Sequence, residues 1–414
     1  MSDALTYAKQ ERERFKRELH DFLRIPSIST DPTYKEQVSQ AADWLVAHLK
    51  NIGLEAERIN TDGHPLVYAE WLEAGEGAPT VLIYGHYDVQ PVDPLDLWET
   101  PPFEPSERDG KIYARGATDD KGQLFIHIKA VEALMKAEGR LPINVKFLLE
   151  GEEESGSRSI SAFVPANKDK LKADVCVVSD SSMPSPDRPK ILHALRGILA
   201  MELHVSGPKG DLHSGMYGGT VHNPAQAIAE IVTKLHNEDG SVAVPGFYDD
   251  VLPLDDVERS RLAETPADLA EWREKTGAPA PWGEPDYSLR ERIGARPTLE
   301  VNGISGGYTA EGFKTVIPAK AIAKLSCRLV AKQDARRIYE QIRDYIASIT
   351  PHTVHSELIM LDSGPWALID INTPPMQAAV KAYKAGFGAK PIFSREGGSI
   401  PIVAGFQAVL DTPV

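Results

Sequence analysis

Across its first 190 residues the chain alternates two kinds of segment that few architectures accommodate. Residues 8–24 and 35–52 carry apolar groups at helical spacing, with Leu19, Phe22 and Leu23 marking one face and Trp44, Leu45 and Leu49 another. The runs LVYAEWL (66–72), VLIYGHYDV (81–89), INVKFLLE (143–150) and DVCVVSD (174–180) are instead apolar on nearly every residue. Strands of that kind suit a sheet buried on both sides. A helical segment at 121–138 lies between two of them. The expectation is an α/β core, a mixed sheet with helices on both faces.

The pattern changes near Leu195. Segment 197–206 (GILAMELHVS) alternates like a half-buried strand, and 224–236 reads as a helix. A proline- and acid-rich stretch fills 245–297, and strands are expected at 297–302 and 319–330. A helix at 333–348 and a strand at 354–361 complete this part. Few strands with helices on one side imply a small α+β domain inserted into the first. After Pro374 a helix to Phe387 resumes the earlier character. The expected organisation is a core domain over 1–194, an insertion over 195–371 and the second part of the core over 372–414. A chain of 414 residues is long enough for two cores.

Charge and cysteine content narrow the function. The formal charge of −15 argues against nucleic acid, which requires a lysine and arginine surface. Two cysteines, Cys176 and Cys327, cannot form a disulfide framework or a thiolate zinc site. The start MSDALTYAKQERERF has no apolar signal core, and no stretch approaches ~18 apolar residues, so a cytoplasmic protein without membrane contact is expected.

Candidate chemistry sits just after the apolar runs. There lie His86 and Asp88 in YGHYDVQP, Asp119 in ARGATDDKG, the acids of EGEEESGS and Asp180 in VVSDSSM. In open α/β sheets functional groups gather at the carboxyl ends of strands. Histidine, aspartate and glutamate are ligands suited to zinc, manganese or cobalt. One strand-end aspartate is ordinarily a cap or turn residue, and a triple glutamate is ordinarily a solvated face. Four such groups at four strand ends, flanked by glycines, are hard to obtain from structural needs alone.

HYDVQP, GATDDKG, EGEEESGS and SDSSM resemble, in order and approximate spacing, the motifs of the co-catalytic metallopeptidases that include carnosinase and cytosolic non-specific dipeptidase. DLHSGMYGG, GGYTAEGFKTVIPAKA, SCRLV and REGGSIP continue the likeness along the chain. The resemblance implies a metallohydrolase core with an inserted lid or dimerisation domain, hydrolysing dipeptides or short peptides. It implies two divalent ions per subunit, zinc foremost, with manganese or cobalt as alternatives. His86, Asp119 and Asp180 would hold one ion, and Asp119 would bridge to a second beside Glu154. Asp88 would orient the His86 imidazole, and Glu153 would be the general base toward a water between the ions. The spacing EGxEExGS favours Glu153 over Glu152 for that role. His213 would act in trans within a homodimer, stabilising the oxyanion, while Arg328, Thr315 and Ser399 would grip the substrate carboxylate.

Two departures stand out. Family members carry a further metal-ligating histidine after the GGSIP segment, whereas this sequence has none beyond His355. The chain is expected to lack a C-terminal stretch of about sixty residues, judged by the family, and to hold the second ion weakly if complete. The segment MLDSGPW lacks a histidine that dipeptidase relatives use to read substrate. Two alternatives therefore stand beside the dipeptidase: an N-acyl amino acid deacylase or desuccinylase of the same fold, and a non-catalytic metal-binding remnant.

Overall fold

A computed structural model describes residues 2–264, 268–398 and 401–414. The chain divides into two compact units, Met1–Met183 with Gly405–Val414, and Pro184–Ala404.

The first unit is built on a five-stranded mixed sheet in the order Glu55–Ile59, Leu66–Trp71, Asn144–Glu150, Thr80–His86, Val175–Val178. The first two pairings are antiparallel, while Thr80–His86 runs parallel to the strands on both sides of it. The apolar runs bury both their faces. On one, Val67, Ala69, Ile83, Val145 and Phe147 pack against Val38, Leu45 and Leu49 of helix Lys35–Asn51 and Leu124, Phe125 and Ile128 of helix Lys121–Glu138. On the other, Tyr68, Leu82, Tyr84 and Leu148 are equally buried. There Tyr84 meets Phe406 of helix Pro401–Leu410 edge to face at 5.7 Å. The continuous apolar pattern is thus explained by helices on both faces, as expected.

The helical spacing over 8–24 resolves into two helices, Ser2–Gln10 and Arg12–Leu23, with Glu11 between them. They join the domain through charge as well as apolar contact. Lys129, nearly buried on helix Lys121–Glu138, reaches Glu18, the Glu132 carboxylate at 2.6 Å and the His48 ring nitrogen at 2.7 Å. Arg14 spans Glu18 and Glu132. Burial, reinforced by Lys129, pushes the His48 imidazole down to about 4, so that it accepts rather than donates.

The second unit centres on a four-stranded antiparallel sheet ordered Thr298–Gly306, Lys320–Leu329, Gly197–Ser206, His355–Gly364. Its strands alternate. Leu199, Met201, Leu203 and Val205 face a core with Ala323, Leu325 and Cys327, while the residues between them are partly or fully exposed. Helices Pro224–Thr233 and Ala335–Ile349 cover the buried side through Ile228, Ile231, Ile338, Ile342 and Ile346. This is the one-sided sheet that period-two patterning requires. The proline- and acid-rich stretch contains short helices Asp256–Ala263, Leu269–Thr276 and Leu289–Gly294. The unit also holds a small sheet in which Lys190–Leu195 pairs in parallel with Ile392–Glu396 and antiparallel with Ala367–Leu368. No helix among the described residues is long and apolar enough to cross a membrane.

Candidate metal centre

Three parallel strands of the first unit end at one edge of the sheet, and each delivers an acidic or imidazole group there. His86 closes Thr80–His86, the Glu152–Glu154 run follows Asn144–Glu150, and Asp180 follows Val175–Val178. Asp119 comes from the turn just before helix Lys121–Glu138, near the positive end of the helix dipole. His86, Asp119 and Asp180 each present a ligand atom, all within 4.8 Å of one another. His86 Nε2 lies 2.9 Å from Asp119 Oδ1 and 3.9 Å from Asp180 Oδ2.

The tautomer follows from the other ring nitrogen. His86 Nδ1 lies 3.1 Å from the Asp88 carbonyl oxygen, an acceptor only, so Nδ1 carries hydrogen and Nε2 presents its lone pair to the two carboxylates. A buried nitrogen lone pair facing two anions needs a positive group between them. Without an ion a proton serves. Burial opposes charging His86, but Asp119 and Asp88 beside it prevail and hold its pKa well above the ordinary imidazole value. A divalent cation competes for the same position. The residues present therefore fit a metal ion.

Asp88 is fully buried and joins the two halves of the site. Its Oδ1 lies 3.4 Å from His86 Nδ1, and its two oxygens accept the Glu153 and Glu154 N–H groups at 3.3 and 3.1 Å. One carboxylate thus orients the imidazole and holds the turn Glu153–Ser155. Burial pushes the Glu153 carboxyl up to about 7, with His86 opposing and Asp180 reinforcing. Burial also raises Glu154, against the bond that its Oε2 receives from Gln90 Nε2 at 2.6 Å. Glu154 thus stands on Gln90, outside the three-donor group. Asp119 is lowered chiefly by its bond to His86.

Three supporting residues escape a reading of the sequence. Asp120, nearly fully buried, accepts the His86 backbone N–H at 3.1 Å. Lys121, also buried, donates to the Phe22 and Ile25 carbonyls at 3.2 and 2.6 Å and is pushed down by burial to about 7. Gln90 holds Glu154. All three lie inside motifs already singled out, but their partners are distant in sequence and carry no local signal.

In the second unit, His213 and Thr315 lie together. Leu212–His213 pairs antiparallel with Val316–Ile317, and His213 Nε2 is 3.5 Å from Thr315 Oγ1. His213 Nδ1 accepts the Gly215 N–H at 3.0 Å, which leaves the hydrogen of a neutral ring on Nε2. Arg328 lies in strand Lys320–Leu329, paired with Thr298 on one side and Ile198 on the other. Ser399 falls outside the described residues.

A model of peptidase family M20/M25/M40 matches residues 82–412, four-fifths of the chain and every candidate ligand. The chain belongs to this peptidase family. A Cys-Gly metallodipeptidase of Schizosaccharomyces pombe is 32% identical over 419 residues, covering 97% of this chain and 87% of the relative. The beta-Ala-His dipeptidase of Homo sapiens is 30% identical over 427 residues, covering 99% and 84%. Among solved structures, an M20 family metallo-carboxypeptidase from Sulfolobus solfataricus aligns with a TM-score of 0.83 at 32% identity, covering 96% of this chain and 89% of that one. As an M20 member the chain is a metal-dependent peptidase, the reading to which its motifs point.

Proposed function

We propose that this M20 peptidase cleaves the peptide bond of dipeptides and other short substrates that end in a free carboxylate. The observation that carries the proposal is the buried His86 Nε2 set between Asp119 and Asp180. Relatives named as dipeptidases and a neighbour named as a carboxypeptidase support the substrate class.

His86, Asp119 and Asp180 would hold one ion, and Asp119 with Glu154 a second, zinc first and manganese or cobalt in its place. Divalent ions supply Lewis acidity that polarises a carbonyl and acidifies water. Glu153 takes a proton from the attacking water on its carboxylate and passes it to the leaving amine. Burial raises its pKa above the ordinary carboxylate value, as suits a group that takes a proton and returns it. Asp88 keeps the His86 Nδ1 hydrogen directed away from the ligand side and fixes the Glu153 backbone. His213 Nε2–H suits donation to a carbonyl oxygen that gains charge, and in the proposed homodimer it would serve the partner copy. Arg328 with Thr315 and Ser399 would receive the substrate carboxylate, for which a guanidinium fork is suited. The cytoplasm is the proposed location, in keeping with two buried, unpaired cysteines.

The test compares dipeptides, their C-terminal amides, longer peptides and N-acetyl or N-succinyl amino acids, each with and without chelator. Chelator-sensitive turnover that favours free dipeptides over amides and acyl amino acids is expected. Preference for the acyl amino acids would move the enzyme to the deacylase branch. Zinc, manganese and cobalt reconstitution of the stripped protein ranks the metals, and sedimentation reports the dimer.

A further inference from the structure

Three carboxylates occupy consecutive positions in Glu152–Glu154, and the reaction proposed above uses two of them. Glu152 is the most enclosed, only 7% exposed. One of its oxygens accepts the His64 N–H at 2.7 Å and the other the Ser159 N–H at 2.8 Å. Ser159 lies in the first turn of helix Arg158–Ala166, whose N-cap residue Ser157 makes no capping bond and gives its hydroxyl to Glu150 instead. Glu152 therefore caps this helix from outside, where the dipole favours a negative group.

On its other side Glu152 holds the loop 61–64, which joins strands Glu55–Ile59 and Leu66–Trp71. The Thr61 hydroxyl knits that loop, donating to the His64 carbonyl at 2.7 Å and accepting the Gly63 N–H at 3.1 Å and the Ser159 hydroxyl at 2.9 Å. A Cβ on Gly63 would stand 1.6 Å from Glu152 Oε1. No side chain fits there while the carboxylate keeps its place. The loop also borders a cavity of about 620 Å³ lined by Lys35, Arg58, Asn60 and Asp62, so packing alone does not confine it.

The same residue carries the turn. The Glu152 carbonyl accepts the Ser155 and Ser157 N–H groups at 3.0 and 2.8 Å, while Asp88 accepts those of Glu153 and Glu154. We propose that Glu152 is a positioning residue. Together with Asp88 it clamps the Glu153–Glu154 turn from two sides, and Gly63 provides the room its carboxylate requires. This rests on the roles given above to Glu153 and Glu154.

The test uses the full chain with Glu152→Gln, and Gly63→Ala as a variant that disturbs the same contact from the opposite loop. An amide keeps the shape but turns an N–H toward a backbone N–H. Three measurements are made: hydrogen exchange across 150–158, Zn²⁺ affinity by chelator competition, and kcat and KM on a dipeptide. Exchange in the segment should quicken about tenfold in Glu152→Gln. Zn²⁺ affinity or kcat should fall about ten- to a hundredfold, as when groups supporting a metal site are lost, with KM within about twofold. Gly63→Ala should move the same quantities in the same direction. A lowered melting temperature with exchange, Zn²⁺ affinity and kcat at 25 °C unchanged would overturn the proposal, leaving Glu152 a purely structural residue. If the unmodified chain neither binds Zn²⁺ nor cleaves dipeptides, the functional reading fails. The exchange measurement still decides whether Glu152 holds the turn, and unchanged exchange overturns the proposal by itself.

Discussion

The two main sheets use their faces differently. In the first unit both faces are buried, and His86, the Glu152–Glu154 run and Asp180 emerge together at the carboxyl ends of the parallel strands. In the second unit one face is covered by helices and the other is open, so Arg328, next to last in its strand, can alternate out of the core between buried Cys327 and Leu329. A sheet closed on both faces displays chemistry at strand ends; a one-sided sheet can also display it on its open face. The proposed labour divides accordingly, with ions and proton transfer in the first unit and substrate recognition in the second.

Substitutions can break that division. Glu153→Gln should lower kcat by about a thousandfold, the middle of the range for a lost acid–base group. Zn²⁺ affinity should survive, and turnover close to wild type would remove Glu153 from the chemistry. Next come the cores. Leu82→Ala and Ile83→Ala point to opposite faces of the first sheet, yet each should cost roughly 2–5 kcal/mol in urea unfolding. Arg328→Met should raise KM about tenfold or more with a smaller change in kcat, since bonds to a charged partner contribute about 1.5–3 kcal/mol. A pure kcat defect would place Arg328 among the chemical groups instead. The smallest effect is expected on the open face of the second sheet. Lys324→Ala should stay within about 0.5 kcal/mol of wild type, whereas the adjacent Leu325→Ala falls in the core range. Equal losses at 324 and 325 would show that this face is covered in solution.

Legibility in the sequence followed the same physics. Apolar runs announced the strands Leu66–Trp71, Thr80–His86 and Asn144–Glu150 to within three residues, because burial on both faces leaves a continuous signal. Helix Lys121–Glu138 was equally plain, and its end at Gly139, with a left-handed backbone, is a standard stop. Strand Glu55–Ile59 was not, since an edge strand of sequence EAERI carries little apolar content. Nor was the pairing of Lys190–Leu195 with Ile392–Glu396, whose partners lie about two hundred residues apart. At the site, residue types and motif spacing suggested His86, Asp119 and Asp180. The double grip of Asp88 and the Gln90 bond to Glu154 required the fold, because hydrogen-bond direction is not written in composition.

The charge cluster under the N-terminal helices has an evolutionary consequence. Arg14, Glu18, His48, Lys129 and Glu132 satisfy one another around the buried Lys129 and Glu132, so a change at a charged member leaves a neighbour with unmatched charge, and a change at His48 removes an acceptor from Lys129. Drift there should be concerted. Descendants of this sequence would keep all five residues or exchange several at once for an apolar set, and double-mutant cycles among them should depart strongly from additivity.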